Sequence, residues 1–299
     1  MNAIAGSVPE LFGGAADLTS STKTIFKPGA SFHVDPAGRN VFFGVREFGM
    51  CAAVNGMAVH GGVVPFGSTF FTFSDYCKPA LRLAALMQIH SIFVFTHDSI
   101  GLGEDGPTHQ PVEHLMMLRA VPKLTDFRPA DANETAACWR LALDRTTPSF
   151  FALTRQDLPV IDSSKHDIYA GVSKGAYVLE DAANPQVILI ATGSEVSTAL
   201  DGAKLLAGEG IAARVVSMPS WAIFEEQSVE YKAGLLPRNV PKLAIEAGAT
   251  LGWWKYVGLD GDVIGVDRFG ASAPGPKVMA EYGFTPENVA KRAKALLKK

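Results

Sequence analysis

The densest concentration of reactive side chains is Thr96-His97-Asp98-Ser99-Ile100-Gly101-Leu102-Gly103-Glu104-Asp105-Gly106-Pro107-Thr108-His109-Gln110. It holds two histidines, three carboxylates and three glycines. Such a mix is costly in one loop unless it binds something polar; the alternative is a solvated turn. Arg155, in Leu153-Thr154-Arg155-Gln156, could fork onto a phosphate or be a plain surface cation. Gly13-Gly14-Ala15-Ala16-Asp17-Leu18-Thr19-Ser20-Ser21 offers glycine backbone and hydroxyls that suit an anion, or else a capped helix start. Glu47 opens a helix of small residues, Gly49, Ala52, Ala53 and Gly56, which lets another backbone approach closely. Read alone, that carboxylate is ordinary compensation of the helix dipole. Phe70, Phe73 and Tyr76 recur at i, i+3, i+6, so they form a helical core face or are presented from a loop; read alone, the spacing favours the core.

Elements that would position these residues alternate between strand and helix. Val41–Phe43, Val63–Phe71, Ile92–Thr96 and Ser149–Leu153 read as extended. Glu47–His60, Lys78–Met87, Val112–Arg119 and Asp131–Leu143 read as helical, the first ending at Gly61-Gly62. Ile92-Phe93-Val94-Phe95-Thr96 is continuously apolar until its last residue, as in a strand buried on both faces of a parallel sheet. The polar loop leaves its carboxyl end, where ligands bind in α/β folds. Gln156–Lys174 lacks periodicity and reads as a linker. Strands Val187–Ile190, Arg214–Ser217, Leu243–Glu246 and Val263–Val266 follow, with helices at Glu195–Ala207 and Pro286–Leu297. The order predicts an α/β protein of two domains, 1–164 and 165–299, with mostly parallel sheets flanked by helices.

Composition narrows the function. The net charge is −3, which argues against nucleic-acid binding driven by bulk charge. Apolar residues make up 47%, enough for packed cores, and charged residues only 19%, which suggests surface covered by another chain. Cys51, Cys77 and Cys138 lie far apart, so neither a zinc site nor a disulfide framework is indicated. No apolar run approaches a membrane span, and Met1-Asn2-Ala3-Ile4 does not begin a secretory signal; a cytoplasmic location is expected. Two motifs are set aside. Glu104-Asp105-Gly106 with Asn133 is a poor match to a magnesium-holding Gly-Asp-Gly…Asn pattern, with four prolines between. Thr192-Gly193-Ser194-Glu195 has no basic partner nearby in sequence and reads as a structural turn.

Taken in order, these motifs resemble the transketolase family over nearly the whole chain. Gly13-Gly-Ala-Ala-Asp-Leu-Thr, Gly44-Val-Arg-Glu-Phe-Gly-Met, Ser68-Thr-Phe and Thr96 through Pro111 are similar to signatures of its pyrimidine-binding domain. Ala191-Thr-Gly-Ser-Glu-Val and Asp267-Arg-Phe-Gly-Ala-Ser-Ala-Pro resemble its carboxyl-terminal domain. The resemblance implies ketol transfer between ketose and aldose phosphates with thiamine diphosphate. It makes Glu47 the carboxylate that hydrogen-bonds the aminopyrimidine ring. It makes Phe70 a stacking partner with Phe73 and Tyr76 lining the pocket, and places Asp17 nearby. It implies that His97 and His109 contact the sugar phosphate and its hydroxyls, that Asp105 reads a donor hydroxyl, and that Ser21 and Arg155 hold the phosphate. Ala15 and Ser20-Ser21-Thr22-Lys23 depart from the family pattern.

The family's amino-terminal domain, which binds the diphosphate through Mg2+, and one substrate-phosphate arginine have no counterpart here. The resemblance therefore implies the carboxyl-terminal half of a transketolase, needing an amino-terminal transketolase subunit, in a homodimer or heterotetramer. Alternatives are a piece of a longer enzyme, a beta component of a 2-oxo acid dehydrogenase, and a non-catalytic scaffold that kept the fold.

Overall fold

The computed structural model describes residues 1–162 and 164–298. Six strands form the first sheet: β1 (Leu11–Ala15), β2 (Asn40–Phe42), β3 (Val64–Phe70), β4 (Ile92–Thr96), β5 (Thr125–Phe127) and β6 (Ser149–Leu153). Their order is β2-β1-β3-β4-β6-β5, and every neighbouring pair is parallel. A parallel sheet needs apolar cover on both faces, and β4 shows how the sequence meets this. Phe93 and Phe95 point to one side, into a core with Met50 and Val54 of helix Glu47–His60 and with Leu81 and Ala84 of helix Ser74–Met87. Ile92 and Val94 point to the other, against Phe66, Phe127, Phe151 and Trp139.

The second sheet comprises β7 (Tyr177–Glu180), β8 (Val187–Ala191), β9 (Ala213–Ser217), β10 (Lys242–Ile245) and β11 (Asp262–Ile264). Its order is β11-β10-β8-β9-β7, parallel except for β7, which runs antiparallel to β9. Helices Glu195–Gly208 and Pro286–Leu296 pack together on one face. Gly202 permits their approach: a Cβ there would lie 2.6 Å from Val289 Cγ1. Trp221, Phe224 and Trp253 fill the other face.

The expected α/β architecture with mostly parallel sheets holds, and several expected elements change. Gly13-Gly14, read for anion binding, lies inside β1, where their missing side chains let β2 and β3 close in. The segment read as a linker contains helix Ile168–Val172, capped by Asp167 accepting from the Ala170 N–H (2.9 Å). The helix expected from Lys78 starts at Ser74, with Pro79 inside it. The aromatic series is not a helical core face. Phe70 ends β3, a single 3-10 turn spans Phe71–Phe73, and Tyr76 is 62% exposed; Phe71 is the ring that enters the core.

Between the sheets lies a buried polar layer. Arg119 forks onto Glu246 (2.7 and 2.9 Å) and donates through Nε to Asp126 (2.9 Å). Arg128, with no exposed surface, donates to Asp98 (2.9 Å) and Glu195 (2.5 Å). Buried charges are tolerated only when paired, and removing one partner leaves the others uncompensated. Arg128→Met should therefore lower the unfolding free energy by about 3–5 kcal/mol, read by urea denaturation. A loss below ~1 kcal/mol would contradict this account of the layer.

Candidate active site

Strand order decides where the polar residues go. The chain leaves β1 to one side for β2 and reaches β3 on the other, so a crevice opens at the carboxyl ends of these strands. Five adjacent strands each deliver a candidate to this rim. Asp17 follows β1, Glu47 begins the helix after β2, Phe70 ends β3, His97 follows β4, and Arg155 follows β6. Asp17 and His97 have positive φ, 61° and 60°, a conformation uncommon for residues other than glycine and enriched at functional sites.

Two connected groups result. In the first, the His97 ring stacks on Phe70 at 3.8 Å between centroids, and the His109 ring lies 6.3 Å from Phe70 and 5.6 Å from Phe73. Nδ1 of each imidazole shares a hydrogen bond with the preceding threonine: Thr96 at 3.0 Å and Thr108 at 2.9 Å. Burial pushes His97 down to about 4, with Arg155 and His109 acting in the same direction and Asp105 opposing them. His97 is thus an uncharged imidazole at neutral pH, with charged neighbours close enough to act on it.

In the second group, Ala16, Asp17, Leu18, Val45, Glu47, Phe73 and Tyr76 line a cleft of about 430 Å³. Phe73 joins the two groups, standing 6.0 Å from Phe70 and 6.1 Å from Tyr76. A cleft with two aromatic rings and a partly exposed carboxylate fits a flat heteroaromatic ring bearing a hydrogen-bond donor. It fits the aminopyrimidine end of thiamine diphosphate. Its lining includes no lysine or arginine to match a diphosphate.

Ser21 stands apart. It is exposed on the short helix Thr19–Thr22, where its backbone N–H donates to Leu18 O (3.0 Å). No side-chain hydrogen bond brings it to the others among the described residues. Asn133 is also elsewhere, its amide donating to Ile161 O (3.2 Å). The turn Thr192–Glu195, read as a structural turn with no basic partner nearby in sequence, receives Arg128 from the first domain. The sequence reading did not single out Thr96 and Thr108 as imidazole partners, although each directly precedes its histidine.

The environment of His97 gives a pH dependence with a definite sign. Its folded value lies below the ordinary 6.5, so the folded state binds fewer protons. Its contribution to stability is complete above pH 6.5 and is lost as the pH falls from 6.5 towards 4. A histidine-selective NMR titration should show His97 protonating near 4; a midpoint near 6.5 would contradict the buried geometry.

Comparison with known proteins agrees with this architecture. Residues 1–160 match the profile of the transketolase pyrimidine-binding domain, and residues 175–285 match the transketolase-like C-terminal domain. Transketolase of Geobacillus stearothermophilus is 60% identical over 304 residues, covering 100% of this chain and 46% of its own length. Transketolase of Bacillus subtilis is 56% identical, again with 46% of its length covered. The crystal structure of Pichia stipitis transketolase in complex with sedoheptulose-7-phosphate superimposes with a TM-score of 0.94 at 45% identity, covering 99% of this chain and 44% of that one. A split-gene transketolase described as an inactive β4 tetramer superimposes with a TM-score of 0.81 at 25% identity, covering 99% of this chain and 95% of that one. The chain spans about half the length of the curated relatives it matches. With both domain profiles matched and the crevice residues arranged on the rim that strand order dictates, the chain belongs to the transketolase family and corresponds to its carboxyl-terminal half.

Proposed function

We propose that this chain supplies the sugar-binding and pyrimidine-binding half of a transketolase. It would transfer a two-carbon ketol unit between ketose and aldose phosphates, with a second polypeptide supplying the Mg2+ and diphosphate half. The observation that carries this reading is the continuity of the Glu47–Phe73–Tyr76 cleft with the Phe70–His97–His109 group through one shared ring. When bound, thiamine diphosphate supplies a nucleophilic carbon and an electron sink. The chain's own groups hold and orient. Glu47 would hydrogen-bond the aminopyrimidine ring, Phe70, Phe73 and Tyr76 would give it flat surfaces, and Asp17 would border it. Neutral His97, with His109 beside it, hydrogen-bonds the sugar hydroxyls and can take or return a proton there. Asp105 accepts from a donor hydroxyl. Arg155 and Ser21 grip the phosphate; Arg155 has the stronger support, because its charge reaches His97.

The need for a second polypeptide is supported by the half-length match and by the split-gene relative of the same extent. An unusual surface supports it too. Gly49, Ala52, Ala53 and Gly56 of helix Glu47–His60 are exposed, and Phe48 beside them is 52% exposed. We place the division between the domains at 164/165, next to Ser163, which lies outside the described residues. Three buried free cysteines support a reducing, cytoplasmic setting, and among the described residues no helix is long and apolar enough to cross a membrane.

The test is reconstitution with an amino-terminal transketolase polypeptide, Mg2+ and thiamine diphosphate, with ketol transfer followed by a coupled assay. The chain alone should show negligible transfer and the mixture should turn over. Full turnover without the second polypeptide would overturn the two-chain reading. Glu47→Ala in the mixture should lose roughly 10²–10⁴-fold in rate with an unchanged melting curve. Retained activity would remove Glu47 from the mechanism.

A further inference from the structure

The second sheet has a crevice of its own. β8 lies between β9 and β10, so the connections leaving β8 and β10 run to opposite sides, as those leaving β1 and β3 do. In α/β sheets a ligand normally sits there. Here the place is taken by a side chain of the first domain. Arg128, just beyond β5, donates through Nη1 to Thr192 O (2.9 Å), Thr192 Oγ1 (2.8 Å) and Glu195 Oε2 (2.5 Å). Gly193, at φ 55°, is shaped around it, since a Cβ there would lie 2.7 Å from Arg128 Cζ.

The other end of the same guanidinium reaches the first crevice. Arg128 Nε donates to Asp98 Oδ2 (2.9 Å), and Asp98 directly follows His97. All three charged groups are at most 2% exposed. The loop is tied to the second domain further along as well. Gln110 Nε2 donates to Ala271 O (3.0 Å) as well as to Gly103 O (2.9 Å), and Ser272 Oγ donates to Glu104 O. The contact faces are too close for side chains: a Cβ on Gly275 would lie 2.3 Å from Gly101 O.

His97 has left-handed backbone, which an L-residue holds only when its surroundings over-determine it. The first domain supplies the Phe70 stack and the Arg128 anchor at the next residue, and the second domain holds that anchor through Thr192 and Glu195. We propose that the second domain is the positioning frame of the active-site loop, with the Asp98–Arg128–Glu195 clamp fixing the His97 backbone and ring on Phe70. The functional meaning of this inference rests on the reading of His97 as substrate-facing; the geometry does not. Asp98, Arg128 and Glu195 are positioning residues. They touch no substrate and act through His97.

The test uses the full chain with 13C-labelled histidine and follows the His97 ring by NMR across pH. The groups acting on that ring, Arg155, Asp105 and His109, are left in place. Asp98→Asn and Glu195→Gln should raise the His97 midpoint from about 4 towards 6.5, as the loop loosens and the ring becomes solvated. Thr192→Val keeps every charge and should shift it in the same direction by less, so it carries the test if the charge variants fail to fold. Val289→Ala, in the second-domain core, controls for general destabilisation and should leave His97 unmoved. The proposal is overturned if the folded clamp variants titrate like the parent chain, or if Val289→Ala moves His97 equally. A chain inert in every reconstituted ketol-transfer assay would count against the proposed function and leave this titration interpretable.

Discussion

Asp17, Glu47, Phe70, His97 and Arg155 reach one rim because the first sheet is wholly parallel. Parallel strands end on a common edge, and each crossover must return the chain to the opposite edge before the next strand begins. The loops after β1, β2, β3, β4 and β6 therefore converge without any direct attraction between them. The reversal of strand order between β1 and β3 leaves the gap into which Glu47, Phe73 and Tyr76 project. Chemistry and topology meet at Asp17 and His97, where the chain turns off the sheet through backbone that glycine would adopt more readily.

The electrostatics follow from the same placement. A histidine on an exposed loop would keep its ordinary proton affinity; one that begins directly at the end of a buried strand and stacks on a phenylalanine loses water on most sides. Arg155, one strand over, adds positive charge that further disfavours an imidazolium. The rim thus holds a cation suited to phosphate beside an imidazole kept neutral for hydrogen bonding, while the carboxylate Glu47 stands across Phe73 in an aromatic cleft. The charged group and the flat cleft are separated by one ring, Phe73.

Much of this was legible in the residues, for identifiable reasons. β4, β6 and helix Glu47–His60 match the sequence reading because long apolar runs or glycine stops bound them. β1 was hidden by its glycine pair, which weakens strand propensity while permitting close neighbours. β5 is three residues long with a buried aspartate at its centre, and β7 is an antiparallel edge with a register shift. The polar loop after β4 announced itself by density of function. The aromatic series did not, because i, i+3, i+6 spacing is shared by a helix face and by a strand end leading into a turn. Arg128 was least legible: its partners Thr192 and Glu195 lie 64 and 67 positions away, in the turn after β8 and at the start of the helix that follows.

The whole account depends on this polypeptide forming one wall of a cofactor pocket, with the grip on the charged tail supplied from outside it. Calorimetric titration of thiamine diphosphate with Mg2+ into the chain, alone and then mixed with an amino-terminal transketolase polypeptide, addresses that claim directly. On the two-chain proposal several charge-assisted hydrogen bonds of about 1.5–3 kcal/mol each would separate the two conditions, so affinity should rise by orders of magnitude in the mixture. Equal, tight binding by the chain alone would contradict it.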